Sequence, residues 1–591
     1  MFLRSTIRKK DGKEHRYWSL VESKRVSGGR VVQRHVLYLG EINSSQELAW
    51  RKSIAVPEAG GERSRSLSLF AEDRCEGELS DASIVRLKLS QLRLSRPRQW
   101  GACWLALKLW EELRLDRFWA ERLAPSRKGT RWDRVLFVLV AYRLIAPGAE
   151  WRLHREWYGR SGLADLLEAD AALADSHKLY RCHDRLLAHK QAVFDHLVGR
   201  WRDLFNASFE VLLYDLTSTY FEAEPPFSDE DKRRFGYSRD HRPDCVQVVI
   251  ALIVTPEGLP LAYEVLAGNT ADNTTLRNFL DRIERQYGKA RRIWVMDRGI
   301  PTEAVLEMMR QADPPVSYLV GTPKRRLSRL EQELLTKPWH EARPGVQVKL
   351  LPQEGELYVF AESKDRLAKE RAMRRRQLKG LWARLAQLSA MRLKREELLM
   401  KLGAARQKAP TAWRLVDIEV DPGSPAFTYR LDRDKLRTAR RREGRYLLRT
   451  NLTEHDPAKL WSYYLQLVTV EAVFKNLKGD LAIRPIYHQD EARIEAHIFI
   501  AFLAYCLHIT LKRRLHALAP GLTPRSVLEK FAAVQMIDVH VPTTDGRELM
   551  FTRYTLPEPE LSLLLAKLKL DLPAQPPPKI SAAAADPEDP L

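Results

Sequence analysis

Apolar and polar positions divide the 591-residue chain into stretches of different period. WSLVE and RVVQRHVLYLG alternate around Ser27-Gly28-Gly29, the pattern of strands and turns in a β-rich module over residues 1–50. Arg8, Lys9 and Lys10 sit at its first turn, as a hairpin tip in solvent or a contact to a phosphate backbone. Residues 51–81 are rich in Gly, Ser and charge and read as a linker. Over 82–205 the period becomes helical, with Trp104, Leu107, Trp110, Leu113 and Arg117 at spacings of three and four. Val135 to Leu144 and Ala192 to Phe205 continue it. Tryptophan and arginine neighbours such as Trp151-Arg152 and Trp201-Arg202 suit a DNA-binding domain, although most of these tryptophans are expected in a core.

Strands return at Val211. VLLYDLTSTYFE, CVQVVIALIV and LPLAYEVL predict three of them, the last two joined by the turn Thr255-Pro-Glu-Gly258. A helix over Leu276 to Tyr287, a buried strand over Arg292 to Asp297, a helix over Thr302 to Gln311 and the strand VSYLV follow. Residues 206–344 thus read as the first part of a mixed α/β sheet with flanking helices. Residues 345–444 interrupt it. Between Lys364 and Lys408, 15 Lys or Arg stand against 4 Asp or Glu, on a helix with Leu378, Leu381, Leu385 and Leu388 along one side. Such a helix is a coiled-coil-like arm or a DNA-facing surface. The strands RLVDIEV and FTYRL follow, and Arg445 to Thr450 returns to the sheet. Residues 445–515 form its second part, with long helices over Lys459 to Lys478 and Glu491 to Lys512. Residues 516–572 make a C-terminal region, and the Pro/Ala-rich 573–591 reads as a disordered tail.

Charge narrows the partner. Lys and Arg total 98 against 77 Asp and Glu, a net +21, which points to a polyanion, most commonly nucleic acid. The five cysteines are scattered without a C-x-x-C pair, so neither a zinc site nor a disulfide framework follows from them, and a reducing compartment fits. The N-terminal stretch lacks an apolar signal core, and the run Ile498 to Leu507 is too short to span a bilayer, so a cytoplasmic protein away from membranes is expected.

Three acids stand where acids are costly. Asp215 interrupts an apolar strand, Asp297 closes another, and Glu471 lies inside the apolar helix LWSYYLQLVTVEAVFKNLKGDL. Taken singly, each has an ordinary structural explanation: Asp215 in a turn, Glu471 paired with Lys475 one turn on. Taken together they suit two divalent cations, since converging carboxylates repel unless cations neutralise them, and hard oxygen donors favour Mg2+ or Mn2+. Two such ions activate an attacking oxygen and stabilise a leaving one at phosphorus. A helical heptad separates Tyr464, Glu471 and Lys478, aligning them on one stripe.

These motifs resemble the DDE transposases of bacterial insertion sequences, in the group with an insertion between the second Asp and the Glu. DLTSTYFE at Asp215 to Glu222 looks like the first motif and VMDRG at Val295 to Gly299 like the second. Tyr464, Glu471 and Lys478 match the spacing of the third, and RPIYHQDEARIEAHIFIAFLAYCL resembles the helix that follows it. Leu467 departs from the family pattern, which has Arg there; either another cation, Lys475 or Arg298, serves instead, or this branch handles the DNA end differently.

The resemblance implies an RNase H-like catalytic core with residues 345–444 as an inserted α+β segment. Asp215, Asp297 and Glu471 are implied as catalytic metal ligands for two Mg2+ (or Mn2+) ions. Tyr464, Lys478, Arg298 and Lys475 are the implied DNA contacts, with His241, Arg242 and Asp244 as lesser candidates. The partners implied are the terminal inverted repeats, target DNA and a second copy in a homodimeric synaptic complex acting by cut and paste, in a bacterial cytoplasm at the nucleoid. An RNase H-like nuclease without strand transfer and an inactive DNA-binding derivative are the competing readings.

Overall fold

A computed structural model of the chain describes residues 2–10, 13–25, 31–40, 87–222, 228, 230–240, 242–270, 292–297, 301–322, 330, 333, 334, 336–353, 355–484, 486–543 and 546–581. The helix expected over Leu276 to Tyr287 lies outside them. At the N-terminus β1 (Phe2–Lys10), β2 (Lys13–Arg25) and β3 (Val31–Gly40) form an antiparallel meander. The helical stretch opens instead with a strand, β4 (Arg93–Gln99), before the helix Gly101–Glu112.

From Val211 onward the chain builds one mixed sheet. Its strands are β5 (Val211–Phe221), β6 (Val246–Val254), β7 (Pro260–Ala267), β8 (Ile293–Met296), β9 (Ser317–Gly321), β10 (His340–Arg343), β11 (Val346–Gln353) and β12 (Glu356–Ser363). The pair β13 (Val416–Val420) and β14 (Phe427–Leu431) stands apart as a two-stranded sheet, and β15 (Arg445–Thr450) rejoins the main one. The order across it is β10-β11-β12-β15-β9-β8-β5-β6-β7. β8 lies parallel to both β5 and β9, while β6 and β7 run antiparallel in turn from β5. All nine residues of β6 are buried, which is why VQVVIALIV reads as an unbroken apolar run rather than an alternating one.

One helix holds the halves together. Glu491–Leu518 starts at Asp490, whose carboxylate accepts the Arg493 N–H at 3.0 Å, an N-cap that sets its beginning. It is long and apolar enough by composition to cross a membrane, yet 94% of its most apolar window is buried inside the fold. On one side it packs against the helix Trp132–Ile145. On the other, Phe499 and Phe502 meet Tyr263 of β7 and Phe502 meets Phe194, and the Tyr505 hydroxyl donates to the Gly258 carbonyl at 2.9 Å. Of the tryptophans named above, Trp104, Trp110 and Trp201 are core, as are Trp132 and Trp157, whereas Trp151 is exposed.

Gly258 takes φ +86° in the turn between β6 and β7, and a methyl there would press on Thr469, Tyr505 and Ile509 at 3.3–3.4 Å. Gly258→Ala is therefore expected to cost about 1–3 kcal/mol, read as a lowered urea midpoint with the folded spectrum unchanged.

The basic stretch is two helices, Lys364–Ala390 and Arg395–Lys408, rather than one. Leu381, Leu385 and Leu388 pack against Leu398 and Leu402 in a small core of their own, with Leu378 at its edge. The leucine side is thus satisfied within the chain, and Arg371, Arg375, Arg376 and Lys379 face solvent.

The C-terminus also differs from expectation. β16 (Gln535–Pro542), β17 (Glu548–Tyr554) and β18 (Lys579–Ser581) form a sheet with β4, in the order β18-β17-β16-β4. Residues 573–581, expected in a disordered tail, are held: Gln575 bonds both backbone groups of Tyr554, at 3.1 and 2.9 Å, and β18 pairs with β17. The backbone pairing outweighs the Pro-rich composition.

Candidate active site

β5 and β8 set the first two acids side by side. Their register pairs Tyr214 with Met296, so the next residues, Asp215 and Asp297, stand adjacent on neighbouring parallel strands. Asp215 is within β5, partly buried, and accepts the Leu216 N–H at 2.8 Å. Asp297 follows the last residue of β8 and is exposed. Glu471 arrives from the helix Leu467–Lys478, which packs on β5.

The long helix expected over Lys459 to Lys478 is two. Pro457–Leu465 and Leu467–Lys478 meet at Gln466, which caps the end of one and the start of the other. Val468, Thr469 and Val470, β-branched and stiff at χ1, follow the break, and the Thr469 N–H reaches back to the Gln466 carbonyl in a tightened turn. The heptad stripe is therefore interrupted between Tyr464 and Glu471.

Tyr464 and Glu471 nevertheless line one cavity of about 230 Å³ together with Asp297, Thr322, Arg366 and Arg445. The acids act on one another electrically. Burial first, then the charges of Asp297 and Glu471, push the Asp215 carboxyl up to about 7, against the Leu216 N–H and the Arg239 guanidinium, which pull it down. Glu471 is raised by burial and by Asp297, and Arg366 opposes this. Burial, then Tyr446 and Asp297, raise the Tyr464 phenol. Larger cavities lie in the arm and between helices of the N-terminal half, away from these acids.

The other candidates are spread more widely. Lys478 Nζ lies 2.9 Å from Asp240, which also receives Arg484 at 2.9 Å. Lys475 is exposed on the same helix and is not among the cavity's walls. Arg298 and His241 lie outside the described residues. Arg242 folds onto Asp244 and Glu222, and its guanidinium covers the Tyr220 ring at 4.8 Å, so these loop residues satisfy one another. Leu467 is buried under the helix it begins.

Two features were not read from the sequence. Arg366 enters the cavity from the start of the basic arm. Its guanidinium lies 4.3 Å from the centre of the Tyr446 ring, donates to the Tyr446 hydroxyl at 2.7 Å and is held by Glu370 at 2.7 Å. One Arg among fifteen basic residues carries no mark of that position. Glu150, His183, His488 and His497 form a buried cluster apart from the acids; the only trace in the sequence was two histidines nine apart in the motif that follows the third acid.

Comparison with known proteins gives two family matches. The model of the transposase DDE domain matches residues 208–507, and that of the IS1634 family transposase N-terminal domain matches residues 3–63. Among solved structures the chain is similar to a piggyBac transposase in a synaptic complex with hairpin DNA determined by cryo-EM. The two are 11% identical, over 73% of this chain and 79% of that one, with a TM-score of 0.33, too slight a likeness to build on. No curated protein matches the chain.

Proposed function

The chain belongs to the transposases with a DDE domain, a family that uses divalent metal ions, and from that premise we propose that it joins insertion-sequence ends to target DNA by cut and paste. The observation that carries this reading is that Asp215 and Asp297 are neighbours in register while Asp297 and Glu471 wall one cavity. The strands β7-β6-β5-β8-β9, three antiparallel and then two parallel to the first, are read as an RNase H-like core. β10–β12, the basic arm and β13–β14 are read as its insertion.

Asp297 and Glu471 on the cavity wall, with Asp215 beside Asp297 on the neighbouring strand, make a set of hard carboxylates that fits two Mg2+ or Mn2+ ions, all three acids serving as ligands. When bound, the ions supply charge to the attacking and leaving oxygens of a phosphodiester. The residues around them position DNA. Tyr464 offers a hydroxyl at the cavity wall. Lys478 and Arg484, gathered by Asp240, present two cations that a DNA phosphate can share. A synaptic homodimer in the bacterial cytoplasm, bound to terminal inverted repeats, is the assembly in which these contacts are placed. The test is incubation with a labelled terminal repeat, target plasmid and Mg2+. Joined products support the reading; cleavage without joining makes the protein a nuclease, and binding alone makes it an inactive derivative.

Arg366 is assigned the place of the cation that the family pattern has at Leu467. It lies on the cavity wall and its charge acts on Glu471, which Lys475 does not do. Arg366→Ala is expected to slow strand joining by about 10²-fold at saturating DNA, with Arg366→Lys intermediate. Equal rates for the wild type and the Ala variant would remove Arg366 from the site.

The raised Asp215 carboxyl makes metal binding pH-dependent. Without the ion, its folded pKa stands above the unfolded value, so its contribution to stability is present below about pH 4 and lost as pH rises through about 7. A cation competes with that proton. Mn2+ affinity, read by electron paramagnetic resonance of free Mn2+, is expected to rise with pH up to about 7 and then level, with the rise lost in Asp215→Asn.

A further inference from the structure

We propose that Glu150, His183, His488 and His497 form a closed zinc site that fastens the helical half of the chain to the end of the catalytic half. Glu150 comes from the turn after the helix Trp132–Ile145, and His183 ends the helix Ser176–His183. His488 is in the loop before the helix Glu491–Leu518, and His497 is on that helix. All four are buried, and their four ligand atoms all lie within 4.8 Å of one another.

The distances are those of a coordination shell. From Glu150 Oε1 to His497 Nδ1, His488 Nε2 and His183 Nε2 the separations are 3.3, 3.4 and 3.6 Å. Ligands about 2.0–2.1 Å from a tetrahedral zinc ion are about 3.3 Å from each other along the tetrahedron's edges. Three separations therefore agree with such edges, and all three share one carboxylate oxygen.

Protonation points the same way. His183 Nδ1 lies 3.0 Å from the Leu179 carbonyl and His497 Nε2 lies 3.2 Å from the Ile483 carbonyl. A carbonyl only accepts, so each of those nitrogens carries the proton. In neutral rings, the opposite nitrogens then turn lone pairs toward the Glu150 carboxylate, acceptor against acceptor. His183 Nε2 is indeed buried without a donor or acceptor in bonding geometry, and so is His488 Nε2, while His497 Nδ1 stands 3.3 Å from Glu150 Oε1. The arrangement is relieved by two buried imidazolium ions or by one divalent ion at the point of convergence. Arg143, buried and 4.0 Å from the same carboxylate oxygen, already supplies one positive charge and weighs against two more protonated rings spread around it. Ligating histidines that donate their other N–H to a backbone carbonyl are the usual second shell of a zinc ion.

Three imidazoles and one carboxylate suit zinc better than Mg2+, which prefers oxygen and retains water. Four protein ligands leave no open position, so the role is structural. The ion would hold His488, four residues past Arg484 and ten past Lys478, against the helical half. It is separate from the carboxylate site and does not depend on that reading.

The test uses the full chain stripped with a chelator, reloaded with Zn2+ and desalted. Wild type and Asp297→Asn are each expected to retain one zinc per chain, and His488→Gln/His497→Gln none. Because that double variant risks misfolding, Co2+ is also loaded into the wild type, where a four-coordinate site gives intense visible absorption and an oxygen-only six-coordinate site does not. Zinc removal should lower the melting temperature of the wild type but leave His488→Gln unmoved. Zinc retained equally by the double variant, or a Co2+ chain with only weak absorption, would show a metal-free His–Glu cluster and overturn the assignment.

Discussion

Asp297→Asn is expected to abolish DNA cleavage and joining, by about 10³-fold or more, while leaving DNA-end binding and folding intact. The change is isosteric and the side chain is exposed just beyond β8, so no core contact is lost. What goes is one negative charge. On the proposed reading this removes a metal ligand, and several kcal/mol of transition-state stabilisation with it; about 4 kcal/mol corresponds to the stated factor. The same loss relieves repulsion on Asp215 and Glu471, both of which Asp297 raises, so the metal-free variant should melt no lower than the wild type. End binding should hold or tighten slightly, because a negative charge has left a DNA-facing cavity. Cleavage and joining rates measured with Mg2+ on a labelled end decide it. An Asn variant that works within about threefold of the wild type would sink the carboxylate site altogether.

The second large effect lies in stability, at Arg98. This side chain is 1% exposed in β4 and meets Asp538 of β16, also 1% exposed, through two hydrogen bonds at 2.9 and 3.0 Å. Asp165 is a second acidic partner of Arg98 at 2.8 Å, and the Thr552 hydroxyl donates to Asp538 at 2.9 Å. Burial alone would raise the Asp538 carboxyl, yet Arg98 and Thr552 bring it below its ordinary value. Arg98→Ala leaves that carboxylate only the exposed Arg96 guanidinium, 3.2 Å away, and should cost about 3–5 kcal/mol, seen as a lower melting temperature and faster hydrogen exchange along β4 and β16. The double variant Arg98→Met/Asp538→Leu should recover most of the loss, because a matched apolar pair leaves no buried charge. If Arg98→Ala and the double variant melt alike, the cost is one of packing rather than of charge.

Much of the catalytic half was legible because its signals are local. The nine buried residues of β6 form a visible apolar run, and Thr302 caps its helix where the periodicity begins. The three acids stood out because each sits in an apolar context. What escaped notice depends on contacts far apart in the chain. β4 looked like the start of a helical region, since nothing near residue 93 announces a partner at residue 540. The break at Gln466 has no Pro or Gly to mark it. Arg366 looked like any other charge on a basic helix, because only the return of β15 brings Tyr446 and the cavity to it. Glu150 and His183 belong to a cluster whose other half lies more than 300 residues away.

The pairing of β4 with β16 also sets an order in time. Arg98 and Asp538 are separated by 440 residues, so the strand that completes the β4 sheet emerges late in synthesis. At about 5–20 residues per second the wait is roughly 20–90 s. During that interval the helical half has no partner for β4, whereas the acid-bearing strands β5 and β8 are already made. A message cut short between codons 472 and 535 therefore yields a chain carrying all three acids but lacking the clasp of its helical half. Such a chain keeps the acids and loses the Arg98–Asp538 pair.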